Sequence, residues 1–217
     1  MENTKKGVNR YGWKGIPGGI PGGGKTGQRI RSFVVAELVK LKCKDVLDIG
    51  CGDGRLCSLI SQAGMNIVGF DKSRGIIEAA RKAHPSLSFF CIDVEQDTCP
   101  VKETSFDAVV STEVIEHLGK PSKLVEMAQV VLRESGCLII STPYHGYSKN
   151  FLIGLVDKWD SHHTTLWEGG HIKFWSHKTL TRLLNDYDFQ ILRWGGIGRI
   201  PYLWKSMVVI AQKNNVP

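Results

Sequence analysis

The sequence predicts an α/β fold: an open sheet with helices on both faces. Three observations carry that expectation. Short apolar runs at 46–49, 66–70, 87–92, 106–111 and 137–141 alternate with helix-periodic stretches. The first run breaks into a turn with a glycine at every second position, Asp48-Ile49-Gly50-Cys51-Gly52-Asp53-Gly54. Helix-friendly residues resume at Arg55, giving strand, glycine loop, helix. Such a turn lets the backbone approach a ligand at the carboxyl end of the first strand. Alternation throughout the chain excludes an all-β fold and a helical bundle.

With 217 residues, 42% hydrophobic and 23% charged, the chain suits one globular domain with a full core. Lys and Arg (28) outnumber Asp and Glu (21), for a formal charge of +7. That balance points either to an anionic partner (nucleic acid, a phosphorylated small molecule, a membrane surface) or to a solvated basic surface. The six cysteines, at 43, 51, 57, 91, 99 and 137, form no C-x-x-C pair and read as reduced, buried thiols. No secretion signal, lipidation motif or 18-residue apolar run is found, so a soluble, cytoplasmic protein is expected.

Residues 1–25 are polar and rich in Gly and Pro, and read as a flexible arm that folds over a bound ligand; 26–217 read as a single domain. The run Gly19 to Thr26 fits the phosphate-loop pattern G-x-x-x-x-G-K-[ST]. Asn9 to Gly18 contains no strand-like run to feed that loop, which argues against an ATP or GTP site. Thr26 to Leu41 reads as an amphipathic helix with Ile30, Phe33, Val34, Leu38 and Leu41 on one stripe. Past the glycine turn come a helix at 55–63, a strand at 66–70 ending in Asp71, a helix at 73–84 and a strand at 87–92 ending in Asp93. Asp71 lies 21 residues past Gly50, near the distance at which nucleotide-binding folds place a carboxylate on ribose hydroxyls. Its alternative task is to cap the next helix, for which Ser73 is as suitable. A strand at 106–111, a helix at about 122–134 and a strand at 137–141 follow; a helix at 176–185 and strands at 189–194 and 206–212 close the chain.

A dinucleotide fold wants G-x-G-x-x-G, but here the third glycine comes one residue early and Asp48 sits two residues before the first. Asp-x-Gly-x-Gly-x-Gly resembles motif I of the class I S-adenosylmethionine-dependent methyltransferases. Residues 26–212 resemble that family at motif after motif, which implies a Rossmann-like, seven-stranded sheet and S-adenosylmethionine as cofactor. By that resemblance Gly50, Cys51 and Gly52 pass under the methionine part and Asp48 helps organise its ammonium end. Asp71, with Lys72 beside it, serves the ribose; Asp93 and Val94 read the adenine edge; Thr112 belongs to the same pocket. The sequence is most similar to the ubiquinone-biosynthesis O-methyltransferase type. There an arginine about twenty residues before the turn contacts the cofactor carboxylate, making Arg31 the candidate here and Arg29 its rival.

The segment after the fourth strand, Glu113-Val114-Ile115-Glu116-His117, would face the methyl group. On a helix Glu113, Glu116 and His117 share one face, as a metal half-site or an acid–base cluster. Glu-x-x-Glu-His also resembles small-RNA 2′-O-methyltransferases, in which it binds Mg²⁺ with a later histidine before an aromatic pair. Gly170-His171-Ile-Lys-Phe174-Trp175 matches best, so Glu113, Glu116, His117 and His171 form the implied set for Mg²⁺ or another divalent metal. Without a metal, His117 or His171 is the general base. Similar segments also occur in metal-free methyltransferases, so both schemes stand. Six of seven histidines (117, 145, 162, 163, 171, 177) fall in this later part, as in a polar acceptor pocket. Adjacent His162 and His163 point apart on any regular element, so one of them at most faces a site.

An insert at about 144–175 carries the acceptor. Phe151, Leu152, Leu155, Val156 and Trp159 make an apolar stripe whose ordinary reading is core; its functional readings are a lid or an interfacial patch. Tyr144, Tyr147, Trp159, Trp167, Phe174 and Trp175 are suited to stacking on a flat or sugar-like acceptor. The expected protein is an O-methyltransferase acting on a hydroxyl of a small or lipid-linked molecule. Its rivals are an RNA 2′-O-methyltransferase, an N-methyltransferase of a small amine and a non-catalytic cofactor-binding regulator. Nucleic acid is the less favoured partner, because no separate RNA-binding module is present.

Overall fold

A computed structural model describes residues 24–163 and 170–214. The expected arm and phosphate-loop-like run, up to residue 23, lie outside these residues, as does Trp167.

The apolar run after Lys44 forms β1 (Asp45–Ile49), buried on both faces. Its side chains alternate between two cores, as the period of a strand requires. Val46 packs with α1 (Lys25–Lys40), α2 (Arg55–Gln62) and α3 (Arg74–Ala83), through Val34, Leu38, Ile60 and Ile77. Leu47 and Ile49 face α4 (Ser122–Val131) and α7 (His177–Asn185), through Leu124, Ala128, Leu180 and Leu184. The remaining strands are β2 (Asn66–Asp71), β3 (Ser88–Cys91), β4 (Phe106–Thr112), β5 (Leu132–Pro143), β6 (Phe189–Ile197) and β7 (Ser206–Lys213). They form one seven-stranded sheet in the order β3-β2-β1-β4-β5-β7-β6. Pairing is parallel from β3 through β5, whereas β7 runs antiparallel to both β5 and β6. Strand order reverses between β1 and β4, and a crevice opens at their carboxyl ends.

Element boundaries agree with the sequence reading to within two residues, except that β6 runs on to Ile197, the segment after β4 is not a regular helix, and the junction of α4 and β5 comes early. The helix stops at Val131 and the strand starts at once, at Leu132. Lys213 of the last strand donates to the carbonyls of Gln129 and Leu132 at 2.6 and 3.0 Å, closing the helix end with a tertiary contact. On the adjoining edge strand, Arg193 of β6 pairs with buried Glu37 of α1, fixing the helix that carries Arg31.

The apolar stripe is not core. It splits between α5 (Tyr147–Leu155) and α6 (Trp159–His163), and Phe151, Leu155 and Trp159 are 57%, 69% and 51% exposed. What anchors α5 instead is Ile153 and Lys149; the buried Lys149 ammonium donates to the Tyr144 carbonyl at 2.7 Å. Among the described residues, no helix is long and apolar enough to cross a membrane.

Candidate active site

The glycine turn forms the floor of the crevice. Gly50 sits at φ +81°, where a side chain's Cβ would meet Val114 Cγ2 at 2.2 Å. Gly50 and Cys51 both donate backbone N–H to the Phe70 carbonyl, at 2.7 and 2.8 Å, and Gly52 donates to Asp71 Oδ2 at 3.1 Å. The turn is thus stitched to the end of β2 before any ligand arrives. Above it opens a cavity of about 840 Å³. Gly50, Gly52, Asp71 and Lys72 line one side, with Asp93, Val94 and Thr112 beyond them. Asp71 does not cap α3, whose N-cap is Ser73; its Oδ1 accepts from Ser73 N–H at 2.9 Å. Asp93 accepts from Glu95 N–H at 3.0 Å and Gln96 Nε2 at 2.9 Å, which holds the loop after β3.

Arg31 and Asp48 wall a smaller adjoining recess of about 60 Å³ beneath the glycines, together with Cys51. Asp48 is 1% exposed; Cys57 donates to its Oδ2 at 3.4 Å, while Oδ1 has no hydrogen-bond partner. Burial pushes its carboxyl up to about 7. Burial also lowers the Arg31 guanidinium, with Arg55 adding to the effect. An orphaned buried carboxylate oxygen and a guanidinium across one recess fit a zwitterionic amino-acid end, the methionine part of S-adenosylmethionine. Arg29, the rival, does not line it.

One prediction follows from Asp48. Its folded value, about 7, exceeds the unfolded 3.8, so the stability it contributes is full below about pH 4. That stability is lost as pH rises towards 7, because the unfolded chain gives up its proton first. Asp48→Asn should therefore melt higher than the parent at pH 8 without cofactor, by up to about 4 kcal/mol, with the advantage gone at pH 4. Thermal melts at the two pH values check it, and S-adenosylhomocysteine should stabilise the parent but barely the variant.

The segment after β4 departs from the expected helix. Glu113 adopts φ +56°, and only a 3₁₀ turn, Ile115–His117, follows. That turn swings Glu113 away from Glu116 and His117, so the three do not share a face. Glu113 instead accepts from Ser141 Oγ at 2.9 Å and Ser206 Oγ at 3.3 Å, and burial pushes its carboxyl up to about 7. Neither serine nor Lys149 was legible as a partner, since each comes from a strand or helix distant in sequence. Glu113 is thereby corrected from the metal set: the donor atoms that converge within 4.8 Å belong to Glu116, His117 and His171.

Glu116 is 1% exposed; Thr142 Oγ1 donates to its Oε2 at 3.0 Å, and its Oε1 lacks a partner. Burial, then the neighbouring Glu113, raise its carboxyl well above the ordinary range. The Glu116 carbonyl accepts from Ile172 and Lys173 N–H at 2.9 and 3.0 Å, which brings in the distant loop bearing His171. His117 Nδ1 lies 3.2 Å from the Gly170 carbonyl and donates to it, so Nε2 is the basic nitrogen. The His117 and His171 ring centres are 5.0 Å apart. Burial, then His117, depress His171 to about 4, so it is neutral at pH 7. Both rings line the cavity, as do His163 and Trp159, whereas His177 stacks on Trp194 elsewhere, at 4.2 Å. His162 does not line the cavity.

A sheet of this strand order, opened at its switch point over a glycine turn, is the S-adenosylmethionine-binding fold of the class I methyltransferases. The chain matches a methyltransferase-domain family over residues 26–193 and belongs to it. It is 30% identical over 166 residues to a ubiquinone biosynthesis O-methyltransferase of Bradyrhizobium diazoefficiens, covering 72% of this chain and 62% of that one. A protein of the same description from Nitrobacter winogradskyi is 34% identical over 115 residues, 51% of this chain and 42% of that one. The chain thus spans less than two thirds of the length of these relatives. Among solved structures, the magnesium protoporphyrin IX methyltransferase of Synechocystis with bound SAH shares the fold at a TM-score of 0.66. That pair is 23% identical, with 86% and 83% of the two chains covered.

Proposed function

We propose that the chain methylates a hydroxyl of a small or lipid-linked molecule, with a divalent cation at Glu116, His117 and His171. The observation that carries this reading is the convergence of those three donors within 4.8 Å, two of them imidazoles on the cavity wall and the third a carboxylate buried behind it with an orphaned oxygen. S-adenosylmethionine, when bound, supplies an activated methyl group on a sulfonium. The glycine turn, Asp48, Arg31, Asp71 and Asp93 hold and orient it, so that acceptor oxygen and methyl meet in line. A carboxylate with two imidazoles would suit Mn²⁺ or Zn²⁺ better than Mg²⁺, and such an ion would lower the pKa of an acceptor hydroxyl. His117 Nε2, its tautomer set by the Gly170 carbonyl, would be a ligand when the ion is bound and would take the hydroxyl proton itself in the metal-free scheme. Trp159, half-exposed on the cavity lining, and the exposed Phe151 and Leu155 of α5 support a greasy, lipid-linked acceptor. The free cysteines, four of them buried, favour work in a reducing cytoplasm.

Calorimetric titration of Mn²⁺ into protein saturated with S-adenosylhomocysteine tests the metal. One site is expected, abolished by either Glu116→Ala or His171→Ala and intact in Glu113→Gln. Heat that survives both alanine variants would sink this site. Methyl transfer to amines but not to catechols, unaffected by chelator, would replace the proposal with N-methylation.

A further inference from the structure

A second cluster of imidazoles stands beside the Glu116 site and has no task in the scheme above. His145, just past β5, stacks on His163 of α6 with ring centres 5.5 Å apart; His162 stands 6.2 Å from His145 and 5.1 Å from His163. Phe174 packs edge-on against His145 and His163, at 5.0 and 5.1 Å. His145 is 8% exposed, yet among the described residues neither of its ring nitrogens has a hydrogen-bond partner, and His163 Nε2 is likewise buried without one. Three unanswered imidazole nitrogens in one place cost free energy unless a ligand supplies their partners.

The sign of the surrounding field decides which ligand. Burial lowers His145 to about 3 and His162 to about 4. After burial, the groups acting most strongly on them are cationic or imidazole: Lys149 on α5, Arg199 between β6 and β7, His171, and one another. Among the described residues the donor atoms of this cluster do not converge within 4.8 Å as those of Glu116, His117 and His171 do, so the cluster does not form a metal site. An anion would answer the ring N–H groups and the two cations together. Through His163 the cluster borders the cavity that His117 and His171 line.

We propose that His145, His162 and His163, with Lys149 and Arg199 beside them, bind an oxyanion, a phosphate or carboxylate, at the edge of the acceptor cavity. The acceptor is then a hydroxyl compound that also carries an anionic group, or one delivered from an anionic lipid headgroup. This rests on the acceptor-pocket reading only for the anion's role; binding itself is read without turnover.

The test is calorimetry on the whole chain at pH 7 with phenyl phosphate, benzoate and inorganic phosphate as probes. At least one is expected to bind, with affinity falling tenfold or more in His145→Gln and in His163→Gln and unchanged in Glu116→Gln. Melting curves confirm that each variant is folded, and exposed His162→Ala serves as a second, milder variant if either buried one fails to fold. Co-sedimentation with phosphatidylglycerol vesicles, displaced by phosphate, places the anion on a lipid; calorimetric anion binding without vesicle co-sedimentation places it on the acceptor. No heat from any anion overturns the proposal. So does equal binding in the folded variants, or tight Zn²⁺ binding at these histidines in Glu116→Gln. Loss of methyl transfer with anion binding retained would count against the proposed function alone.

Discussion

Gly50→Ala should abolish cofactor binding and destabilise the fold by about 2–5 kcal/mol. Part of the loss is conformational: at φ +81° an alanine pays about 1–2 kcal/mol that glycine does not. The rest is steric, since the new methyl would overlap Val114 Cγ2 at 2.2 Å, and about 1–3 kcal/mol is typical of overpacking. Val114 immediately precedes the 3₁₀ turn that holds Glu116 and His117, so relief of the clash moves the chemistry as well as the floor. Urea denaturation reads the first loss and titration with S-adenosylhomocysteine the second. Gly64→Ala is the control, because that glycine also has positive φ, +87°, but its Cβ would meet nothing within 4 Å. It should cost only the conformational part and leave cofactor affinity intact.

The second large effect is expected at Glu116. Glu116→Gln keeps an oxygen to accept from Thr142 and nearly the same volume, so the 3₁₀ turn should survive. What it removes is the carboxyl group that would become a carboxylate ligand for a cation beside His117 and His171. The rate constant kcat should fall by about 10²–10⁴, the range for losing a positioned acid–base group, while cofactor affinity stays within a factor of about three. A fall in kcat matched by a loss of S-adenosylhomocysteine binding would mean that Glu116 supports the cofactor floor instead. Glu113→Gln is the informative comparison. Its carboxylate is turned to Ser141 and Ser206, so its loss should show in thermal stability before it shows in rate.

The cofactor half of the molecule could be read from residues close together in sequence. Glycines at alternate positions, an acid two residues ahead and acids at the ends of the next two strands are all local signals. The acceptor half is set by distant contacts, and there local rules misled. Helical periodicity grouped Glu113 with Glu116 and His117, but serines from β5 and β7 hold Glu113 in a left-handed turn that no local pattern announces. The spacing of Phe151, Leu155 and Trp159 is that of a core helix, yet Lys149 and Ile153 are the side chains that α5 buries. Lys149 is tolerated there because a backbone carbonyl and the nearby Glu113 compensate its charge. His171 reaches the site through two backbone amides on the Glu116 carbonyl, a contact with no residue-type signature; only the family resemblance pointed to it.

That last contact bears on how the protein can change over evolutionary time. The loop carrying His171 is seated by main-chain groups of Ile172 and Lys173, and by the Trp175 carbonyl, which accepts from His145 N–H at 3.0 Å. Main-chain pairing survives almost any substitution, so the side chains at 172 and 173 can drift while the imidazole at 171 keeps its place. The exposed face of α5 has the same licence, because Lys149 and Ile153 alone hold the helix down. Acceptor preference can therefore be rewritten by surface mutations that leave the glycine turn untouched, and a lineage can try new substrates without first losing its methyl donor.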